Sequence, residues 1–492
     1  MELLFQSTAS SITVFWEKPA HGTQDASYTL FLNGKLSATV SRTHYTWENL
    51  PSNASFFAEV KVGDTILCAG NVRTGPSLRR IDVTAAPYFA AGDGVIMNTA
   101  ALQQAIDDCA ADQELYFPKG VYMTGALRLH SDMAIYLDEG AVLQGTEDPK
   151  DYLPRIPSRF EGIHRECYSS LLNLGHLDHT AGPNCRNVML YGKGTIASGG
   201  SNLDRNVTEI ERTQLKAYLA ENADLIATCE NSDTIPGRVR PRLINMSNCQ
   251  NIRISGLTLK NGACWNVHMI YSDHIVTDHC TFISEGVRNG DGWDPDSSTN
   301  CTLFASRFYT GDDSVAIKSG KNPEGNVVAR PSKHIRVFDC FSAYGHGICM
   351  GSEMSGGIED VAIWDCDLSN SLYGVEIKGT KKRGGYVRNI RVYDCTLPRV
   401  LLHSVGYNDD GIPAEHPPVF ENCSFENLRI TGLSQNMEKN TIAVTPIEVH
   451  GFDQPGYEAK NITFRNCCLV NGGEISLRHC KQITLENMDS NF

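Results

Sequence analysis

The chain has 492 residues, enough for one large and one small domain. Its net charge of −14 at pH 7 disfavours a nucleic-acid partner, and an acidic substrate must be met by local cations. No run approaches the ~18 apolar residues of a membrane span. The amino terminus, MELLFQSTASSITVFW, lacks the cationic and apolar regions of a signal peptide, so we expect a cytoplasmic protein.

The first 78 residues predict a small β-sandwich. The runs SITVFWEKP, YTLFLNGK, THYTWENL, FFAEVKV and AGNVRT alternate apolar and polar residues at short spacing, as strands do. Trp16, Tyr28 and the phrase NLPSNASFFAEV resemble a fibronectin type III domain. Two roles remain open for it: a spacer or docking module, or a wall at one end of an active cleft.

The second predicted domain, residues 79–492, opens with a helix signal. Asn98 is the predicted N-cap of an amphipathic helix over residues 99–110, placed to cover the open apolar end of a repeat structure. Further along, residues 200–240 contain the helical run TEIERTQLKAYLAENADLIA. Long insertions in such structures usually form loops over the binding face.

A short phrase built around cysteine recurs from mid-chain onward, every 26 to 44 residues. β-rich runs such as IRVF, VAIW and IRVY precede most of its copies. This period indicates a solenoid, and one strand phrase per period favours a parallel β-helix over a helical repeat. The markers are Cys280, Ser306 in the same slot, Cys340, Cys366, Cys395, Cys423 and Cys467.

The cysteines also predict the redox state. There are seventeen, an odd number, and most lie in the repeat. Because no signal peptide is present, we interpret them as free buried thiols in a reducing compartment. CxxC pairs are absent, so a zinc site has little support. We expect neither a metal nor a cofactor.

Four polar patches lie between Asn289 and Lys378: NGDG, GDD, GHG and EIK. Asp312 and His346 each lie six residues past their marker. Because adjacent coils stack about 4.8 Å apart, the polar residues of the patches should climb one side of the solenoid. Carboxylates at such separations hydrolyse glycosidic bonds. Asp312 and its neighbour Asp313 can both reach a cleft only if Gly311 marks a bend, since adjacent strand residues face opposite ways.

A family resemblance rests on phrases that follow one another in family order: GDGVIMNTAALQQAI, YFPKGVY, LDEGAVLQG, RPRLINMSNCQNIRISGLTLKN, NGDGWDPDSS, GDDSVAIKSG, GHGICMGSE and EIKGTKKRGGYVRNI. Over these, about four-fifths of the chain, the second domain resembles glycoside hydrolase family 28, the polygalacturonases. The resemblance implies a right-handed, single-stranded parallel β-helix and inverting hydrolysis of α-galacturonosyl linkages. The expected fold class is therefore all-β, a β-helix preceded by a small β-sandwich.

The resemblance also implies residue roles. Asp312 resembles the general acid, and Asp291 and Asp313 resemble the pair that deprotonates the attacking water. His346 resembles the histidine that orients or tunes these carboxylates. Crowded carboxylates cannot all ionise easily, so one is expected to keep a raised pKa and serve as the acid.

Substrate contacts are implied as well. Lys378 resembles the lysine that pairs with a substrate carboxylate, and Tyr407 occupies the place of a substrate-contacting tyrosine one coil later. Asn289, in the NGDG patch, is a further candidate contact. Trp265 is expected in the core or the cleft wall.

Glu376 departs from the family pattern, which has Arg at this position. Glu removes a bidentate cationic clamp and adds negative charge, so a neutral leaving-side sugar such as rhamnose would be better tolerated. Alternatively, Arg383, or Lys381 and Lys382, restore a cation from a nearby loop. The sequence does not decide between these two.

Three functions are compatible with the sequence. The first is an exo-acting galacturonidase on pectin-derived oligogalacturonides, with a close variant that cleaves galacturonosyl–rhamnose links of rhamnogalacturonan oligosaccharides. The second is a calcium-dependent polysaccharide lyase, and the third is a non-catalytic carbohydrate-binding β-helix. The oligomeric state is not predicted.

Overall fold

A computed structural model of the chain describes residues 1–19, 27–406 and 411–490. The chain divides into two compact units. One comprises Met1–Arg80 with Ala110–Glu114, and the other comprises Ile81–Cys109 with Leu115–Phe492.

The first unit is an antiparallel β-sandwich, as the sequence predicts. One sheet has the strand order Leu4–Ser7, Ile12–Phe15, His44–Trp47, and the other Lys35–Val40, Tyr28–Leu32, Ser55–Val62, Thr65–Arg73. Both sheets turn alternate apolar residues onto one core, which includes Val14, Trp16, Leu30, Trp47 and Val60. The more specific resemblance to a fibronectin type III domain stays a prediction.

The second unit is a parallel β-helix, which confirms the predicted fold class. Three parallel sheets run along it, and most coils contribute a strand to sheet I, then sheet II, then sheet III. Sheet I contains Arg79–Asp82, Gln113–Phe117, Met133–Leu137, Cys185–Gly192, Cys249–Ser255, Asp273–Asp278, Thr299–Phe304, Ser332–Phe338, Ile358–Trp364, Tyr386–Tyr393, Val419–Glu426, Ala459–Arg465 and Cys480–Glu486.

The strands of the other two sheets are shorter. Sheet II contains Asp93–Met97, Gly120–Thr124, Ala141–Gly145, Thr195–Ala197, Thr258–Lys260, Thr281–Ile283, Arg307–Tyr309 and Phe341–Tyr344, and resumes with Thr396–Leu397, Arg429–Ile430, Cys468–Leu469 and Asp489–Ser490. Sheet III contains Leu127–Leu129, Leu172–Leu174, Ile244–Ser247, Val267–Ile270, Trp293–Asp296, Val315–Ile317, Gly347–Met350, Gly374–Gly379, Val400–Ser404, Ile447–His450 and Ile475–Arg478.

Strand alternation explains the core. In each strand every second residue points inward, and in-register stacking turns these residues into apolar columns. One column on sheet I runs through Ile275, Cys301, Ile335, Val361 and Ile390, all fully buried. Such columns leave the outward residues of sheet III free to carry polar chemistry.

The cysteine markers stack at one corner, with one correction. Ladder register aligns the positions of Cys340, Cys366 and Cys395 in successive coils, and all three are buried. Cys423 does not belong to this column, because it lies within a sheet I strand and pairs with Ile390. Leu428 takes the corner position in that coil, since Tyr393 pairs with Glu426. All seventeen cysteines carry thiols rather than disulfides, and fourteen of them are buried, whereas Cys229, Cys468 and Cys480 are half-buried.

The capping helix spans Thr99–Asp107 and buries Leu102, Ala105 and Ile106. Its predicted cap is wrong in detail. Asn98 is the residue before the helix, yet its side chain makes no capping hydrogen bond. Instead the Asn98 amide receives a hydrogen bond from the backbone N–H of Ala91 and donates to the carbonyl of Ala91, tying two segments of backbone together.

Several helices, turns and hairpins lie outside the repeating strands of the β-helix. The predicted helical insertion forms Gly200–Gln214, Lys216–Glu221 and Ala223–Ile226, followed by the 3₁₀ turn Pro236–Val239. Two hairpins pair Ile156–Phe160 with Ile163–Cys167 and Leu433–Gln435 with Thr441–Ala443. The 3₁₀ turn Pro149–Tyr152 and the helix Glu324–Val328 complete the set. Among the described residues, none of the helices combines the length and apolar character that crossing a bilayer requires.

Candidate active site

The predicted site residues lie along sheet III. Its ladder aligns Trp293 with Val315, Val315 with Ile348, Ile348 with Val375, and Val375 with Val400. Residues at equal offsets from these five therefore lie on one side of the solenoid, about one strand spacing apart.

The predicted catalytic groups lie two residues before these aligned strand residues. Asp291, Asp313 and His346 occupy this position in three successive coils, as the ladder pairs around them fix. The sequence offsets placed His346 level with Asp312 instead, because the loops before the strands differ in length. This difference of one residue does not separate the groups, because the imidazole of His346 contacts both Asp312 and Asp313.

The GDD patch contains the bend that the sequence analysis required. Gly311 and Asp312 lie in a bend, and the strand starts only at Val315. A Cβ at Gly311 would collide with the carbonyl oxygens of Val287 and Ser284, so only glycine permits this close approach. The bend allows Asp312 and Asp313 to reach the same cavity.

His346 binds the aspartate pair. Its Nδ1 lies 2.8 Å from Oδ1 of Asp312 and 3.4 Å from Oδ1 of Asp313. Burial favours the neutral ring, but the two carboxylates outweigh it and raise the pKa of His346 well above its usual range. Burial likewise acts to raise the pKa of Asp312, but the imidazolium outweighs it and lowers that pKa below its usual range. The proton of this pair therefore resides on His346 in the free protein.

Asp291 carries the raised pKa instead. Burial comes first among the causes, and the charges of Asp312 and Asp313 add to it, so that its pKa rises to about 7 despite the nearby cation of Lys318. The sequence analysis expected one raised carboxylate in the cluster and assigned it to Asp312. The structure gives that property to Asp291, because Asp312 has the imidazolium beside it.

Lys318 is the cation at the floor of the cluster. Its Nζ lies 3.0 Å from Asp291, 3.6 Å from Asp294 and 3.5 Å from Glu353, and 4.2 Å from the ring centre of Trp265. Although burial alone would lower it, the carboxylates raise the pKa of Lys318 well above its usual range. Burial, followed by the charge of Asp291, raises the pKa of Asp294 well above its usual range.

Glu376 and Lys378 form a second ion-pair chain on the next coils. Lys378 Nζ lies 3.0 Å from Glu376 Oε2 and 3.6 Å from Asp313 Oδ2. Glu376 Oε1 is 2.7 Å from Nε2 of His403, whose Nδ1 lies 3.5 Å from Glu448. Burial acts to raise the pKa of Glu376, but Lys378 and His403 lower it to about 2. Burial acts to lower the pKa of His403, but Glu376 and Glu448 raise it to about 9.

Two adjoining cavities meet at Glu230, Asn289, Asp312 and Lys378, which line both. We name them by their other residues. The cation-rich cavity, of about 340 Å³, is also lined by Lys318, Lys321, Arg383, Trp265, Asp291, Asp313 and Glu353. The Glu376 cavity, of about 420 Å³, is also lined by His346, Tyr373, Glu376, His403, Arg288 and Asn231.

The structure gives the positions of most residues predicted to contact substrate, and their contacts with a substrate stay predictions. Asn289 lines both cavities, and its Oδ1 accepts a hydrogen bond from Arg240 at 2.7 Å. Arg383 lines the cation-rich cavity, and Trp265 forms part of its wall, 3% exposed. Tyr407 lies outside the described residues, so its predicted role stays a prediction.

Sequence reasoning missed four residues of the site. Lys318 and Asp294 sit on outward positions of sheet III, and His403 pairs with Lys378 one coil later. A step of one coil from Lys378 is the signal that would have found His403. Lys318 pairs with Asp296 of the preceding coil, which the sequence analysis had not singled out. Lys321 lies in the loop between the strand Val315–Ile317 and the helix Glu324–Val328, and no periodic signal marks it.

Metal binding finds little support in the donor set. The ligand atoms of Asp312, Asp313 and His346 lie within 4.8 Å of one another, as do those of Asp313, Cys349 and Glu376. However, the imidazole of the first group is protonated. Burial, the largest effect, raises the pKa of the Cys349 thiol well above its usual range in the second. Metal ligands must be deprotonated, so both groups disfavour an ion.

Comparison with known proteins agrees with this site. The profile of glycosyl hydrolases family 28 matches residues 172–410. An exo-poly-alpha-D-galacturonosidase of Dickeya chrysanthemi is 26% identical over 85% of this chain and 79% of its own length. A probable polygalacturonase of Vitis vinifera is 32% identical over 65% of this chain and 62% of its own.

A solved structure shares the fold. The family 28 exopolygalacturonase of Yersinia enterocolitica superposes with a TM-score of 0.83 at 21% identity, covering 100% of this chain and 96% of the other. The profile match spans every predicted catalytic position, from Asp291 to His346. Over residues 172–410 the chain is similar to glycosyl hydrolases family 28, and this match together with the polygalacturonase relatives indicates that it is a glycoside hydrolase.

Proposed function

We propose that this enzyme hydrolyses α-galacturonosyl linkages of pectin-derived oligosaccharides with inversion and releases galacturonic acid from the chain end. The observation that carries the proposal is the convergence of Asp291, Asp312 and Asp313 on one cavity, with the imidazole of His346 in contact with Asp312 and Asp313. The names of the relatives support the substrate class, since they are polygalacturonases and exo-galacturonosidases.

The three carboxylates have different roles in the reaction. Asp312, with the proton that His346 shares along their 2.8 Å contact, protonates the oxygen of the leaving sugar. Asp291 and Asp313 accept the proton of the attacking water. The Nζ of Lys378 lies 3.6 Å from Oδ2 of Asp313, so a cation stands beside one of these two carboxylates. Inverting hydrolysis separates the two functions by roughly 6.5–9.5 Å so that a water fits between them.

Exo action follows from the walls of the cation-rich cavity. Residues outside the coils contribute to it: Glu161 from the first hairpin, Thr228, Cys229, Glu230 and Thr234 after the helical insertion, and Ser352 with Glu353 from a loop. These segments line the cavity together with the carboxylates. We expect them to close one end of it, so that it admits a chain end, whereas endo cleavage needs a groove open at both ends.

A second candidate substrate is favoured by Glu376. This buried carboxylate lines the cavity next to the acid, where the family pattern has Arg. An anion at that position accepts hydrogen bonds from hydroxyl groups and repels a second carboxylate. The galacturonosyl–rhamnose linkage of rhamnogalacturonan, with a neutral sugar on the leaving side, is therefore the alternative.

Product analysis tests both substrates. Trigalacturonate and a rhamnogalacturonan oligosaccharide with galacturonate at its non-reducing end are digested in parallel, and the released sugars are identified by chromatography. We expect galacturonate to be released first from the non-reducing end of at least one of them. Release of internal fragments only would contradict the exo assignment.

The same digests also test whether this enzyme is a lyase instead of a hydrolase. A lyase leaves an unsaturated product that absorbs in the ultraviolet and needs calcium. We expect no rise in absorbance and no effect of a chelator. Either change would favour the lyase over the hydrolase.

The pH dependence of kcat/KM follows from the protonation of Asp291 and of the His346–Asp312 pair. Asp291 must be ionised to act as a base, and its pKa is raised to about 7, so kcat/KM should rise with pH up to neutrality. The His346–Asp312 pair must keep its proton, and the raised pKa of His346 retains it through that range. We expect kcat/KM to be roughly tenfold lower per pH unit below the pKa of Asp291. A maximum at pH 4–5 with a loss by pH 7 would contradict this proton distribution.

A further inference from the structure

Three charged side chains stand side by side on the outward face of sheet III. Glu376 and Lys378 are two residues apart in the strand Gly374–Gly379, so they point to the same side of it, and both line the Glu376 cavity. Lys378 is in register with His403 of the next coil, and Glu376 is in register with Leu401. Since the side chain of Leu401 is apolar, the carboxylate of Glu376 reaches diagonally to the ring of His403. The three groups thus form one cluster across two coils.

Glu376 lies at the centre of this cluster. Its Oε2 lies 3.0 Å from Nζ of Lys378 and its Oε1 lies 2.7 Å from Nε2 of His403, so each oxygen contacts its own cation. The side chain of Glu376 is 4% exposed, against 10% for Lys378 and 22% for His403. A carboxylate buried this deeply is stable as an anion only when it is paired. The two cations therefore fix both its charge and its orientation.

His403 is an imidazolium, because both of its ring nitrogens face carboxylates. Its Nε2 contacts Glu376, and its Nδ1 lies 3.5 Å from Oε1 of Glu448. A neutral ring carries hydrogen on one nitrogen only, so it could donate to one of the two acids at most. On the far side of Glu448, the Nδ1 of His450 lies 3.4 Å from its Oε1, which extends the alternation of acids and bases away from the cavity.

Lys378 connects this cluster to Asp313, one of the two carboxylates proposed as the base. Its Nζ lies within hydrogen-bond distance of Glu376, whereas its 3.6 Å separation from Oδ2 of Asp313 exceeds that distance. The ammonium is therefore bound more closely to Glu376, and it stands beside Asp313 as a neighbouring charge. Glu376 thus contributes to the placement of this cation next to the base.

We propose that His403 is a positioning residue, which holds the ammonium of Lys378 beside Asp313 through the carboxylate of Glu376. The inference rests on the proposed function, in which Asp313 helps to activate the attacking water. The imidazolium keeps Glu376 ionised and oriented. Without the imidazolium this carboxylate can turn, and the ammonium moves with it. A shift of about 1 Å in a group that acts on the reacting atoms can lower a rate by up to ~100-fold.

A double-mutant cycle tests whether His403 acts through Glu376. His403→Leu removes the imidazolium, Glu376→Gln keeps the size of the acid without its charge, and a third variant combines both changes. On the oligosaccharide that the enzyme cleaves faster, each single variant should lower kcat by about tenfold and change KM by less than about threefold, because it displaces one charge beside the base. The double variant should be no slower than Glu376→Gln, since the carboxylate through which His403 acts is already lost.

Two more variants and one titration complete the experiment. His403→Gln keeps a hydrogen-bond donor near Glu376 without a charge, so its kcat should lie between those of His403→Leu and the unaltered enzyme. This variant also replaces His403→Leu should that one not fold. His334→Gln removes an exposed histidine that contacts Asp360 on sheet I, and it should leave kcat and KM unchanged. NMR titration is independent of turnover: the pKa of His403, about 9 in the unaltered enzyme, should fall in Glu376→Gln.

The inference would be overturned by an unchanged kcat in the His403 variants, by losses that multiply in the double variant, by a loss confined to KM, or by a pKa of His403 that does not move in Glu376→Gln. An unaltered enzyme that cleaves neither trigalacturonate nor the rhamnogalacturonan oligosaccharide would instead contradict the proposed function.

Discussion

Asp312→Asn is expected to lower kcat on trigalacturonate by about 10²–10⁴-fold, while the affinity for galacturonate changes little. The amide has the shape of the carboxylate but cannot carry the proton that the leaving oxygen needs. It also removes the anion that His346 Nδ1 contacts at 2.8 Å, so the pKa of the imidazole should fall toward its ordinary value. Steady-state kinetics gives the rate, and an NMR titration of His346 gives the pKa.

A matched control separates chemistry from folding. Asp64→Asn changes an exposed aspartate in the turn between the strands Ser55–Val62 and Thr65–Arg73. The substitution makes the same chemical change at a surface position outside the active site, so the variant should keep full activity and stability. If Asp312→Asn retained more than a tenth of the activity, Asp312 would not be the proton donor.

Lys318→Met is expected to have the largest effect on stability. It removes the cation among Asp291, Asp294 and Glu353, of which the two aspartates are almost fully buried. Loss of one partner of a buried ion pair costs about 3–5 kcal/mol, because the remaining charges stay buried. The unfolding temperature should therefore fall by several degrees, and activity should fall with it, because Lys318 opposes the rise in the pKa of Asp291.

The sign of the pH effect distinguishes this cause from simple loss of packing. Asp291 has a folded-state pKa of about 7, above its ordinary value of 3.8, so the folded state takes up a proton as pH falls between these values. The uncompensated charge is then removed, and the destabilisation of Lys318→Met should be smaller at pH 5 than at pH 8. Lys193→Met, at an exposed lysine, should show no loss at either pH. A penalty that does not depend on pH would indicate packing alone.

The sequence predicted the fold and the catalytic cluster because both repeat with the coil. Motifs one coil apart must stack, so Asp291, Asp313 and His346 could be placed on one wall without coordinates. The prediction that Cys423 marks a coil corner is wrong because the coil length changes there. Only the ladder register shows that Leu428 occupies the corner of that coil.

The remaining features depend on burial and on long side chains. The imidazolium beside Asp312 and the burial of Asp291 decide which of the two acids keeps a proton. Neither feature can be inferred from the coil repeat of the sequence. Lys318 reaches the cluster from the end of its strand, and Arg383 is aimed by Ser352 and Asn322, which are distant in the chain. Such placements follow from tertiary structure alone.

The stereochemistry of the first product tests the central claim most directly. Proton NMR during hydrolysis of a galacturonosyl oligosaccharide distinguishes the two anomers of the newly released galacturonate before they equilibrate. An acid at Asp312 and a water activated by Asp291 and Asp313 predict that the β-anomer appears first and the α-anomer only later, through mutarotation. Initial release of the α-anomer, or of an unsaturated sugar, would show that these three carboxylates do not act as proposed.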